Sequence, residues 1–453
     1  MTNPLLNFSR WWQAIEIYRR PRLLGIFSMG ISSGFPLTLV LSTLGYWLSQ
    51  EGVSPETIGV LSLVTLPYSL KFLWAPLIDW LQLPRLHGRL GRRRSWLLVI
   101  QTGLTVSIVL MGSTSPAEGA LLTGLAALLV AFMSASQDIV LDAYRIEILE
   151  DEELPAGAAM IQFGYRIGNF VSGAGGLYLA ALYGWHVAYW ILALQILFGM
   201  IPALLMGEPK GDGRELVKKE TRAVERWLRG ERRLPSAGAL LVENLYLSVV
   251  VPFKEFMERR GWLVILLFIM LLKVGDGMAS VMTPKLVVDN GFTNVEIIFA
   301  NKTVGFFALL AGIFSGGLLL KVAGTYKGLL ISAILMAVSN LSFAVLAELG
   351  HHVPFLAFTI GFENFASGVG GTVAIAYLSG LCNLAYTATQ YALLSSLASV
   401  GRGFLSAPSG FIYSEWGAAA FFVFTTFAAV PAILLVVAMN RRGIVAEKLR
   451  QQS

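Results

Sequence analysis

The chain has 453 residues, of which 55% are hydrophobic and only 14% charged, whereas a soluble chain of this size is about a quarter charged. Charge that scarce cannot cover a water-facing surface, so most of the exterior faces lipid. The formal net charge of +6 does not point to nucleic acid, because Lys71, Arg166, Lys273, Lys302 and Arg402 fall inside apolar segments and most other cations lie in loops on one side.

Residues 1–22 hold Arg10, Arg19, Arg20 and Arg22 around Trp11 and Trp12, the pattern of a short helix lying in the membrane interface, and no cleavable signal is visible. A helix crossing ~30 Å of hydrocarbon needs about 20 residues. Apolar segments of that order run over 23–48, 57–80, 96–113, 118–144, 155–183, 186–206, 262–285, 294–320, 326–347, 354–381, 385–413 and 417–439. The expected class is therefore an all-α membrane protein of about twelve spanning helices, in six-helix bundles over 23–206 and 262–440 with a short tail at 441–453.

Basic residues set the orientation. Four Lys/Arg precede the first segment, Arg85, Arg89, Arg92, Arg93 and Arg94 lie in 81–95, twelve lie in 207–261, and Arg441, Arg442, Lys448 and Arg450 close the chain; the opposite side carries one, Lys285. Both ends and the long polar region 207–261 are therefore expected in the cytoplasm, and the helix count is even. Mixed charge such as Glu215, Lys218, Lys219, Glu220 and Arg222 suits short helices lying along that face as a solvated linker.

The two halves look related. Arg166 opens a run through Gly168, Ser172, Gly175 and Gly176 to Gly184-Trp185, and Arg402 opens one through Gly403, Ser406, Pro408, Ser409 and Gly410 to Trp416-Gly417. Duplicated halves with a substrate site between them are a recurrent transporter plan, and small-residue stripes let helices approach closely.

The second segment ends in Trp74-Ala75-Pro76-Leu77-Ile78-Asp79, and Gly91-Arg92-Arg93-Arg94 precedes the third. This resembles, in variant form, the signature loop of the major facilitator superfamily. Asp79 can accept from a helix N-terminus or an arginine and latch a gate; a purely topogenic cluster is the other reading. In the fourth segment Asp138, Asp142 and Arg145 share one helical face at i, i+4, i+7. They can act as a gate latch with Arg92, Arg93 and Arg94, or Asp138 can serve as a proton site.

Nearer mid-membrane lie Lys71, Arg166, Lys273, Asp276, Lys302 and Glu363. Intramembrane ionisable groups are functional candidates by default. Asp276 and Glu363 are candidates for proton coupling, against mutual neutralisation of Lys273 by Asp276 and of Glu363 by Lys302 or Arg402. Central cations outnumber central acids, which points to an anionic substrate. Gln162, Tyr165, Asn301, Asn364 and Gln390 add uncharged polar groups of the kind a sugar requires. One cysteine, Cys382, and four histidines preclude an internal disulfide and leave no basis for a metal site or cofactor.

Together these stretches resemble the AmpG muropeptide permease family of the major facilitator superfamily. The resemblance is carried by Lys71 to Asp79, Gly91 to Arg94, Ser134 to Tyr144 and Gly164-Tyr165-Arg166-Ile167-Gly168. In the second half it is carried by Lys273-Val274-Gly275-Asp276, Asn301-Lys302-Thr303-Val304-Gly305, Phe362-Glu363-Asn364, Thr387 to Leu394 and Val400-Gly401-Arg402. It implies proton-driven import, across a bacterial inner membrane, of N-acetylglucosaminyl-1,6-anhydro-N-acetylmuramic acid and its peptide forms. Those fragments would feed cell-wall recycling and β-lactamase induction. By position it implies a substrate site of Lys71, Gln162, Tyr165, Arg166, Lys273, Asn301, Lys302, Asn364, Gln390 and Arg402. Better-known members have about two further C-terminal helices, so the wall fragment preferred here stays open.

Other readings are a carrier of a different anionic metabolite such as acetyl-CoA, an integral-membrane enzyme, and a receptor of transporter ancestry. The second-half motifs favour muropeptides over acetyl-CoA. External loops are short, and 207–261 lacks histidine and any compact acidic cluster, so an enzyme is not expected. A monomer suffices for alternating access.

Overall fold

A computed structural model describes residues 15–54, 57, 58, 61–209 and 250–445. The expected interfacial helix falls outside it as far as residue 14, as does 210–249 of the polar region. Among the described residues, twelve helices cross the molecule. The first half has α1 (Pro21–Gln50), α2 (61–80), α3 (Arg92–Gly112), α4 (Pro116–Ile148), α5 (154–183) and α6 (Trp185–Leu205). The second half has α7 (Trp262–Asp289), α8 (294–323), α9 (325–349), α10 (Val353–Gly380), α11 (387–416) and α12 (Ala418–Arg441). Helix α3 starts at Arg92, four residues before its apolar segment, because the arginines form its first turn at the polar boundary.

Among the described residues, seven helical stretches are long and apolar enough to cross a membrane: α1, α3, α4, α6, α7, the continuous α8–α9 and α12. The other four, α2, α5, α10 and α11, are broken or rich in small and polar residues, and each meets the opposite half, where α4 and α8 join them. Contacts between halves run from α5 to α8 and α10, and from α11 to α2 and α4. Lipid rewards apolar surface, whereas a seam that must part rewards small and polar surface.

The resemblance between halves extends to backbone conformation. Gly91, Gly184, Gly324 and Gly417 join α2 to α3, α5 to α6, α8 to α9 and α11 to α12, all with φ between 76° and 86°. Their ψ values lie between 164° and the equivalent of 182°. Only glycine adopts this region without strain. The same glycine conformation thus precedes the last helix of each of four three-helix units, as a one-residue corner at 184, 324 and 417 and at the end of the 81–91 loop at Gly91, alternating between the two faces as nested inverted repeats require.

Helix pairs within each half approach to backbone contact. A Cβ on Gly164 of α5 would lie 2.0 Å from the Phe27 carbonyl oxygen of α1, and one on Gly34 would lie 2.1 Å from the Tyr165 carbonyl oxygen. In the second half, Gly312 of α8 stands in the same way 2.1 Å from the Phe365 carbonyl oxygen of α10. Without a hydrophobic force between helices in lipid, such close packing supplies the attraction.

Residues 15 and 445, the first and last described, lie on one face, which also carries Arg85, Arg89 and Arg92 to Arg94; it is called the basic face below.

Candidate functional site

Three groups of ionisable residues stack from the middle of the molecule to the basic face. The central group joins four helices. Arg166 comes from α5, Lys273 and Asp276 from α7, Glu363 from α10 and Arg402 from α11, with Lys273 and Glu363 each within electrostatic reach of the other four. Asp276 is the acidic neighbour of Glu363 within the group. Arg166 comes from the first half, so the group closes only when both halves contribute. Arg402 Nη2 donates to Ser280 Oγ at 3.3 Å and borders a cleft of about 420 Å³ between α7 and α11. Arg166 Nε is buried without a hydrogen-bond partner.

One layer nearer the basic face, Asp138 accepts from Ser33 Oγ at 2.6 Å and is within electrostatic reach of Lys71, Tyr68 and Tyr165. Lys71 Nζ lies 4.0 Å from Asp142, and Arg145 Nη2 donates to Asp142 at 3.3 Å. Helix α2 breaks into short turns around Lys71, which lets the amine leave the lipid side. Arg145 is fully buried; its Nη1 donates to Ser379 Oγ of α10 at 3.0 Å, and its guanidinium lies over the Tyr391 ring of α11. Gln162 likewise accepts across the halves from Thr372 of α10, at 3.4 Å.

At the basic face, Asp79 Oδ2 accepts from the Thr389 N–H and O–H, both at 2.7 Å, and Oδ1 from the Ala388 N–H at 3.3 Å. The carboxylate of one half thus caps helix α11 of the other. Arg93, with no exposed surface, donates to Asp79 at 2.6 Å and to Glu147 at 2.5 to 3.1 Å. Arg92 donates to the Asp79 carbonyl at 2.9 Å. Lys321 of α8 pairs with Glu152 of the α4–α5 turn at 3.2 Å. Together these contacts seal the basic face.

Several residues expected at these sites lie elsewhere. Arg94 is not in the latch; its guanidinium takes the Ala203 and Leu204 carbonyls at the end of α6, at 2.7 and 2.8 Å. Gln390 is not in a substrate chamber but in the first turn of α11, bonded to Pro252 and Glu255 beside the basic face. Asn364 Nδ2 donates to its own helix at Ile360 and packs against Gly305 of α8. Asn301 likewise bonds Ile297 of its own helix, and both it and Lys302 are exposed on a π-helical stretch, Phe299–Gly305. Glu363 finds Asp276, Arg402 and Arg166 rather than Lys302.

The sequence reading passed over Glu147, Ser379 and Thr389. Glu147 had a signal, a carboxylate two residues beyond Arg145 at the end where the arginines gather. Ser379 and the backbone donors of α11 had none, since their role depends on which helix lies opposite.

The Major Facilitator Superfamily model matches residues 23–319. The anhydromuropeptide permease of Escherichia coli K12 is 36% identical over 426 residues, covering 94% of this chain and 81% of that protein. A transporter named AmpG 4 from Rickettsia felis is 33% identical, covering 94% of this chain and 98% of that one. Among solved structures, the proton:xylose symporter XylE matches with a TM-score of 0.65 at 13% identity, over 97% of this chain and 96% of that one. The E. coli fucose:proton symporter FucP matches at 0.66 and 12% identity, over 94% and 98%. At such identities the solved structures speak to the fold alone.

Proposed function

The chain belongs to the Major Facilitator Superfamily and, within it, to the AmpG permease family, and on that premise we propose that it imports anhydromuropeptides across a bacterial inner membrane by proton symport. The basic face is then cytoplasmic by the positive-inside rule, and the sealed arrangement is the state that loads from the periplasm. The observation that carries the reading is the central group: three cations and two carboxyls, drawn from both halves.

Its charge arithmetic gives a coupling mechanism. Without substrate, ionised Asp276 and Glu363 offset two of the three positive charges, and the empty carrier can reorient at low electrostatic cost. A substrate carboxylate competes for Arg166 and Arg402. As it takes them, the two acids lose the attraction that favoured ionisation and take up protons. Loaded carrier is thus protonated carrier, and both partners leave together when the basic face opens. Lys71, Asp138 and Asp142 lie on the route from that group to the seal and offer a second relay. The sugar rings would be held by uncharged groups nearby, including Tyr165 and Gln162. This assigns transport with no covalent chemistry.

Uptake of radiolabelled N-acetylglucosaminyl-anhydro-N-acetylmuramic acid into proteoliposomes, with and without an inward proton gradient, tests the reading. The expected result is gradient-stimulated accumulation that unlabelled acetyl-CoA does not compete away. Binding without counterflow would reduce the protein to a receptor. Competition by acetyl-CoA at equal concentration would move the assignment to another anion.

A further inference from the structure

Helix α11 starts at Thr387 without a side-chain cap of its own. Uncapped first turns leave donors unsatisfied and fray. Here the donors of residues 388 and 389 go to Asp79 of the other half, so the seal depends on where that first turn is held. The next residue, Gln390, is buried and has separate partners. Its Nε2 donates to Glu255 Oε2 at 2.5 Å and to the Pro252 carbonyl at 3.1 Å. Its Oε1 accepts from the Asn383 N–H at 2.8 Å and from Arg259 Nη2 at 3.4 Å. That accounts for both amide hydrogens and both lone pairs.

Glu255 is the hub on the other side. It takes Arg259 through Nε and Nη2 at 2.6 to 3.1 Å and Asn383 Nδ2 at 3.4 Å. Arg259 also donates to the Leu381 carbonyl and lies over the Phe256 ring. The short helix Val251–Met257, the turn after α10 and the first turn of α11 are therefore tied into one body. Two carboxylates from different parts of the chain, Asp79 and Glu255, grip consecutive residues of one helix end.

We infer that Glu255, acting through Gln390, is a positioning residue of the gate, holding the first turn of α11 where Asp79 can accept from Thr389. It favours the sealed state without touching substrate, and it rests on the reading of Asp79 and α11 as the gate. Helix Val251–Met257 leads directly into α7 and packs on the second half through Phe256, so the contact persists when the halves part. Its effect on the equilibrium runs through the order it imposes on the donors of α11 and is visible only while Asp79 is present to use them.

That dependence supplies the test. Ala392 is buried on α11 among side chains of the first half, so a cysteine there is reachable only when the seal opens. The full-length protein carrying Cys382→Ala and Ala392→Cys is reacted in inside-out vesicles with a membrane-impermeant maleimide. Adding Glu255→Ala should raise the labelling rate up to about ten-fold, the consequence of losing one charge-assisted hydrogen bond. Asp79→Asn should also raise it, and the double variant should label no faster than Asp79→Asn alone. Glu255→Gln keeps an acceptor for Gln390 and should label close to the parent. Gln390→Glu, which sets a second carboxylate against Glu255, should label like Glu255→Ala and serves where the alanine variant fails to fold. Unchanged labelling in Glu255→Ala and Gln390→Glu, with Asp79→Asn fast, would overturn the positioning role alone. Additive effects in the double variant would do the same, because non-interacting sites add. Unchanged labelling in Asp79→Asn would overturn the gate reading itself.

Discussion

The Asp79→Asn substitution tests the seal directly, and its size can be worked from the contacts. The carboxylate is 5% exposed and meets four donors: the Thr389 N–H and O–H at 2.7 Å, Arg93 at 2.6 Å and the Ala388 N–H at 3.3 Å. An asparagine keeps one acceptor oxygen and places an NH2 before the remaining donors. Its best orientation turns the oxygen to Thr389 and the amide to Arg93, which retains Glu147. The loss of the Arg93 pair lies within one half, recurs in both conformations and cancels. What differs is the contact with α11: the long Ala388 bond, which faces the new NH2 and is lost at little cost, and the pair of bonds to Thr389, each falling from about 2 kcal/mol with a charged acceptor to about 1 kcal/mol with a neutral one. The sealed state thus loses about 2 kcal/mol, roughly 30-fold in its ratio to the open state. Starting from an open fraction of about 1%, within the usual range for a minor state, the variant reaches about a quarter. Spin-label pairs spanning the ends of α4 and α10 at the basic face would register this as a second, longer distance of about that weight. A distance distribution identical to the parent's, in a variant that unfolds at the same temperature, would refute the argument.

Glu363→Gln replaces the carboxyl beside Asp276 with an amide that takes up no proton. Substrate counterflow should continue while an imposed pH gradient no longer drives accumulation, and retained gradient-driven uptake would remove Glu363 from coupling. Arg166→Ala removes the only first-half cation of the central group and should raise the KM for an anionic muropeptide about ten-fold or more. A neutral ester of the same sugar should be little affected; equal losses for both would point to collapse of the site. Gly164→Ala drives a methyl to 2.0 Å from a backbone oxygen of α1, so α1 and α5 must separate at a cost of about 3 kcal/mol. The thermal midpoint in detergent should fall by several degrees, while Gly45→Ala, which meets nothing within 4 Å, should leave it unchanged.

Much of the architecture can be read along the chain because lipid imposes local rules. Apolar length marks a span and the side bearing arginines predicts an orientation, and neither needs a partner. Even the corner glycines at 184 and 417 announce themselves beside Trp185 and Trp416. The same locality marks out the charged candidates, since any ionised group within an apolar stretch must have a reason to be there. What it cannot supply is the pairing. Lys302 and Arg402 look alike as cations in apolar helices, yet Arg402 joins Glu363 and Asp276 while Lys302 stands exposed on a π-helical stretch. Arg93 and Arg94 are neighbours in one motif, yet a rotation of about 100° per residue sends one to the latch and the other to the carbonyls closing α6. Gln390 could serve a sugar or a scaffold, and the arrival of Glu255 across 135 residues makes it scaffold. Hydrogen bonds and ion pairs act over a few ångströms, so a residue's role follows from what the packing of twelve helices brings within that distance.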